Sequence, residues 1–296
     1  MFSLRRRTKG DVVFDTINNL VMFIVCFVTL YPIWYVLVNA FNDGKDAMLG
    51  GIYWWPRKFS FENFEAVFDN PGIMTAMGLT VAKTVIGVIA HVFFTAMVAY
   101  AFSRRDLIAG KFYILMGTIT MIFSGGLIPT FLLIRDLHML DKFIVYIIPV
   151  LFSFFDLIIF MTFFRDIPDG LEEAARIDGA SDWTVFLRVV LPVSLPVLAT
   201  IALFHGVYQW NDYFTGIIYV NNENLQPIQT FLYRVVAQSS SNIMTTAVQG
   251  SAITKTVTSQ SIKLATMVVT TLPIVFAYPF LQRYFVKGMM IGSIKG

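Results

Sequence analysis

Apolar residues in this chain occur in long unbroken runs separated by short charged stretches. A helix needs about 20 consecutive apolar residues to cross a bilayer, because in hydrocarbon its backbone N–H and C=O groups must pair within the segment. Six runs have that length: 16–41, 73–102, 112–134, 143–164, 189–219 and 264–282. The first, third and sixth carry no charge, whereas Lys83, Asp156 and Asp212 interrupt the second, fourth and fifth. The pattern predicts an all-α polytopic membrane protein, with six transmembrane helices in one domain over 1–296 and both termini on the same side.

Composition agrees. Hydrophobic residues make up 56% of the 296 and charged residues only 14%, against about 25% charged in soluble domains. Of the 22 Lys and Arg, 13 fall on segments that share a side with residues 1–15, 8 on the opposite side, and Lys83 within a span. By the positive-inside bias the N-terminus, the loop 165–190 and the tail 283–296 are cytoplasmic. Arg5 to Arg7 followed by apolar residues has the outline of a secretory signal. Its apolar run is too long for one, so a retained first helix is expected. The single cysteine, Cys26, excludes a disulfide within the chain. The outer loop 42–72 carries an aromatic cluster, Tyr53-Trp54-Trp55-Pro56 with four phenylalanines, suited to a re-entrant or surface-lying segment.

Catalytic patterns are missing. Gly44-Lys45 and Gly110-Lys111 are followed by Asp46 and Phe112, so no phosphate-binding P-loop exists. His91, His138 and His205 are scattered without metal-ligand spacing, and no Gly-x-Ser-x-Gly elbow occurs. An enzyme, a metal or a bound cofactor is not expected, nor is a nucleic-acid partner. His205 is expected to serve helix packing rather than ligation.

The loop 165–190 is the most distinctive segment. Leu171 to Ile177 has helix-forming composition, and Asp169 and Ser181 are candidate caps. Ala174, Ala175, Gly179 and Ala180 are small enough for a partner surface to approach the backbone, and Gly179 can take a positive φ. Glu172, Glu173, Arg176 and Asp178 belong to a charged rim around them. The spacing Glu173-Ala174-Ala175-x3-Gly179-x9-Val189-x-Leu191-Pro192 resembles the EAA signature of permease subunits in ATP-binding-cassette importers, with Val189 replacing the usual Ile. Further matches are Ala99-Tyr100-Ala101-Phe102-Ser103-Arg104, Gly125-Gly126-Leu127-Ile128-Pro129-Thr130, Trp210-Asn211-Asp212 and the tail from Tyr278. Over nearly its full length the chain is similar to carbohydrate-uptake permeases of the MalG type, within their LplC/YtcP branch.

That resemblance implies a type I importer permease fold with a cytoplasmic coupling helix in a bacterial cell membrane. It implies a second, related permease in a heterodimer, two ATPase subunits that bind ATP and Mg, an extracytoplasmic solute-binding protein and an oligosaccharide cargo. Residues 172–176 and 178–180 would couple to the ATPases. Lys287, Gly288, Lys295 and Gly296 would mark a tail reaching between them.

Cargo candidates come from the intramembrane polar residues. At ~1.5 Å rise per residue, Lys83 and Asp212 lie ~15 and ~12 Å from the outer ends of their spans, and Asp156 ~21 Å. Lys83 admits three readings: an ion pair with Asp212, a cavity cation attracting an acidic, uronate-containing oligosaccharide, or a snorkelling side chain. Trp210, Asn211 and Asp212, with Tyr208, Gln209 and Phe155, have the aromatic and polar make-up of a sugar site. They equally suit interfacial anchoring and polar contacts between helices. A secondary transporter or channel independent of ATP is the alternative of a different class.

Overall fold

A computed structural model describes residues 9–245, 257–258 and 260–276. They fall within two compact units, one drawn from Met1–Asn70 and Val235–Thr270, the other from Pro71–Arg234 and Thr271–Gly296. Among the described residues the regular structure is all helical, apart from an isolated bridge between Asn42 and Phe59.

The first unit starts with α1 (Lys9–Ala40), a 32-residue helix in which only Val38, Asn39 and Ala40 are buried. Cys26 is exposed on it. Its C-terminal end is tied to the aromatic loop, which contains two short helices, α2 (Gly44–Met48) and α3 (Glu62–Phe68). Asn63 Nδ2 donates to the carbonyls of Ala40 and Asn42, both at 2.8 Å, and Trp34 Nε1 donates to Trp54 O at 3.0 Å. Phe41 and Phe59 stack with an interplanar angle of 6°. Arg57 Nε donates to Asp46 Oδ2 at 3.0 Å. Asp46 is held below the ordinary carboxylate range, mainly by the Asn42 amide and further by Arg57. The loop is thus a folded cap of short helices.

The second unit is built on α4 (Pro71–Ser103), 33 residues without interruption. Its buried positions include Ile73, Ala76, Thr80, Lys83, Gly87, His91, Thr95 and Ala99, a stripe of three- and four-residue steps. α5 (Gly110–Ile122) and α6 (Leu127–Asp136) follow, then 3-10 turns over Phe143–Tyr146 and Ile148–Val150 and α7 (Phe154–Arg165). Next come α8 (Asp169–Ile177), α9 (Asp182–Val185), a π-helical turn at Phe186–Val190, α10 (Leu191–Val193), α11 (Leu195–Asn211) and α12 (Phe214–Tyr219). α7 and α11 both flank α4. Between them a core of Ala96, Ala99, Leu157, Phe160, Val185, Phe186, Val190 and Ile201 is buried. The chain continues into α13 (Ile228–Thr245) and α14 (Gln260–Phe276).

Three predicted spans are broken rather than straight. α5 and α6 meet at 112°, the segments Phe143–Val150 and Phe154–Arg165 at 52°, and Asp182–Val193 and Leu195–Asn211 at 81°. Gly126, at φ 86°, makes the first break in a conformation that favours glycine. Pro149 and the extended Ser153 make the second, and Ser194 with Pro196 the third. Two described helices, α1 and α4, are long and apolar enough to span a membrane unbroken, or up to five spans if each bent pair counts as one. α14 is a shorter apolar helix that ends within the predicted sixth run, whose remainder lies outside the described residues.

Outside the bundle, Asp141 accepts the backbone N–H groups of Asn221 and Asn222, which hold its carboxyl below the ordinary value of 3.8. A depressed folded value means stability that is present above the unfolded value and lost as pH falls through the folded one. Asp141→Asn is therefore expected to remove part of the acid sensitivity below about pH 4 in a thermal-unfolding series.

Candidate functional site

The inner loop folds as a helix–turn–helix. α8 opens after Pro168, whose missing N–H costs nothing at a helix start, so Asp169 lies inside the first turn instead of capping it. The other expected cap is present: Ser181 Oγ accepts the N–H of Thr184 at 3.3 Å at the start of α9. Between them Gly179 stands at φ 81°, the N–H of Ala180 donates to Ala175 O at 2.9 Å, and that of Gly179 donates to Arg176 O. This is a glycine-terminated helix end of the Schellman type, closing carbonyls that α8 would otherwise leave open.

The faces of α8 divide sharply. Ala175 and Ala180 pack against the buried core of Val185, Phe186 and Val190. Glu173, Ala174 and Asp178 are exposed, and Ile177 is 86% exposed. Arg176 pairs with Asp182, and that hydrogen bond raises the guanidinium pKa further. Glu172 turns inward, where its carboxylate takes hydrogen bonds from Arg104 and from the Tyr100 hydroxyl.

The intramembrane polar residues form the second cluster. Lys83 Nζ donates to Asp212 Oδ2 and to Asp212 O, each at 3.1 Å, and lies 4.9 Å from the centre of the Tyr146 ring. Its side chain is 0% exposed and that of Asp212 9%. Asp212 sits at the break between α11 and α12, where its second oxygen accepts the N–H of Thr215 at 3.1 Å. Gln209 Nε2 donates to Tyr146 O at 2.9 Å, lying on Gly87, where a Cβ would come within 2.6 Å of it.

Of the residues expected to line the pathway, Lys83, Gln209 and Trp210 are buried. Helix packing engages the polar groups of Lys83 and Gln209, which bond to Asp212 and to Tyr146 O. Phe155, Tyr208 and Asn211 are exposed, Phe155 at 58% and Tyr208 at 54%. Lys287, Gly288, Lys295 and Gly296 lie outside the described residues.

Two histidines that look scattered in the sequence meet in the bundle. His91 and His205 stack with ring centroids 3.8 Å apart and 5° between planes. His91 Nδ1 lies 2.9 Å from Val150 O and its Nε2 2.9 Å from Asp156 Oδ2. A carbonyl only accepts, so Nδ1 carries a hydrogen and Nε2 faces the carboxyl. The signal was present in the α4 stripe: Thr80, Lys83, His91 and Thr95 share one face.

Comparison with known proteins places these features. The family described as "Binding-protein-dependent transport system inner membrane component" matches residues 1–291. Protein LplC of Bacillus subtilis is 38% identical, covering 98% of this chain and 97% of that protein. The polygalacturonan/rhamnogalacturonan transport system permease protein YtcP of the same organism is 37% identical, covering 96% and 98%. A chain in the crystal structure of a bacterial ABC transporter involved in the import of the acidic polysaccharide alginate superposes with TM-score 0.86. It is 27% identical, over 95% of this chain and 99% of that one. The fold is thus the type I importer permease fold, and the resemblance drawn from the motifs holds across the chain. The chain belongs to the binding-protein-dependent transport system inner membrane components.

Proposed function

We propose that this chain is one permease half of an ATP-driven, binding-protein-dependent importer of acidic oligosaccharides in a bacterial cytoplasmic membrane. It spans the membrane six times with both termini inside and forms half of the translocation path with a second, related permease. The chain binds no cofactor itself. ATP and Mg belong to two ATPase subunits, and an extracytoplasmic binding protein delivers cargo.

The observation that carries this reading is the α8–Gly179–α9 loop, which presents Glu173, Ala174 and Ile177 outward on a rigid, capped scaffold. Small residues around an exposed apolar tip allow close backbone approach by a partner, and the charged rim supplies register. Glu173→Arg is expected to lower ATPase co-purification about tenfold or more, roughly 1.4 kcal/mol of docking. An unchanged yield of ATPase would refute the docking role. Vanadate is expected to stop uptake, whereas a secondary carrier would continue.

Acidic cargo is supported by YtcP, named for polygalacturonan and rhamnogalacturonan, and by the alginate importer. Phe155, Tyr208 and Asn211, whose side chains are exposed, are assigned to the path on that ground. In proteoliposomes, oligogalacturonides are expected to be taken up in preference to neutral oligosaccharides of the same length. Tyr208→Ala is expected to reduce that uptake without reducing ATPase recruitment.

A further inference from the structure

Two connections join α8 to the bundle. The covalent one passes Gly179, α9, the π-helical turn at Phe186–Val190 and the 81° bend before α11. Each of these is a place where a helix yields.

The other route is a side-chain bridge. Glu172 lies in the first turn of α8 with its side chain 20% exposed, and Arg104 Nη1 donates to its Oε2. The Tyr100 hydroxyl donates to the same oxygen at 3.4 Å, and the Arg104 guanidinium lies over the Tyr100 ring, 5.9 Å from its centre. Tyr100 is on the last turn of α4, and Arg104 is the residue that follows it. At ~1.5 Å per residue α4 is a straight lever of ~50 Å. Its buried stripe holds Lys83 to Asp212 on one neighbour and His91 to Asp156 on another.

We infer that Glu172 is a positioning residue that clamps α8 to α4, so that displacement of the docked loop reaches the buried polar stripe along an unbroken helix. Glu172 is then directed at this chain's own α4, whereas Glu173 faces outward. The inference rests on the ATPase-docking reading given above. A partly buried Arg–carboxylate pair reinforced by a hydroxyl is suited to this task, since charge-assisted hydrogen bonds resist shear better than neutral ones.

The test uses the complete complex with its partner permease and ATPases in lipid nanodiscs. Cys26→Ser removes the native thiol, and spin labels are placed at Gly78→Cys on α4 and Gly170→Cys on α8, where a Cβ meets nothing within 4 Å. The distance between labels is measured without nucleotide and after trapping with ATP and vanadate. With Glu172 intact the two helices are expected to move together, leaving the distance unchanged. In E172Q trapping is expected to shift it by roughly 2 Å or more, the scale of helix shifts in switching proteins. The charge swap E172R/R104E is expected to restore the locked distance, and R104Q replaces E172Q if the latter does not assemble. A distance that changes in the native complex, or stays locked in both E172Q and R104Q, overturns the clamp. So does loss of ATPase in E172Q that the swap leaves unrepaired, since Glu172 would then be an ATPase contact. A native preparation without ATPase defeats the docking reading itself, visibly in the first arm, and the clamp falls with it.

Discussion

Asp212→Asn is expected to destabilise the folded chain by about 3–5 kcal/mol, the cost of leaving a buried charge without its partner. Asparagine has nearly the same volume and can still accept the N–H of Thr215, so the α12 start survives. What it removes is the negative charge facing Lys83, whose side chain has no solvent exposure and keeps only the Asp212 carbonyl and the Tyr146 ring. Neutralising both ends should be far milder, because the cost lies in the orphaned charge rather than in the missing pair. Lys83→Met/Asp212→Asn is therefore expected to regain most of the loss. Thermal unfolding of the two variants in detergent decides the point. A double variant as unstable as the single one would show that the pair does not act as a unit. Uptake in Lys83→Met should fall equally for acidic and neutral sugars, since Lys83 has no surface to present to either.

Gly117→Ala is the second substitution with a large expected effect. A Cβ at 117 would fall within the Phe154 ring, so α5 and α7 can pack here only through a glycine. The obstacle is a ring at the first residue of α7, fixed beside the Ser153 cap and the 52° bend. Overpacking a close helix contact costs about 1–3 kcal/mol. Adding Phe154→Leu should recover stability by opening the space, whereas Phe154→Leu in the native background should itself lower it. Unfolding midpoints that show no recovery in the pair would place the effect elsewhere than in this contact.

Local features of the chain were legible wherever one residue decides a local geometry. Gly179, Ser181 and the Leu171–Ile177 helix follow from turn and capping chemistry within a dozen residues. Asp169 failed as a cap because Pro168, one residue earlier, already occupies that position. Similar depth along two helices brings Lys83 and Asp212 near the same layer on sequence grounds alone. The same reasoning missed His91 and Asp156, since a histidine in an apolar run does not register as a charge. The breaks were hidden for a related reason: Gly125, Gly126 and Pro149 do not interrupt a hydrophobic run, although they interrupt a helix. The bridge from Glu172 to Arg104 was beyond reach, because 68 residues separate its ends and each already belonged to a plausible surface charge pattern.

The buried pair of Lys83 with Asp212 also bears on how the subunit meets the membrane potential. Lys83 with Asp212 sums to zero whether the proton rests on nitrogen or oxygen. A lone elementary charge carried across the field would gain or lose about 2.3 kcal/mol for every 100 mV. Opposite charges that move together exchange almost none of it. A displacement of this pair within the bilayer would therefore carry no net charge through the field.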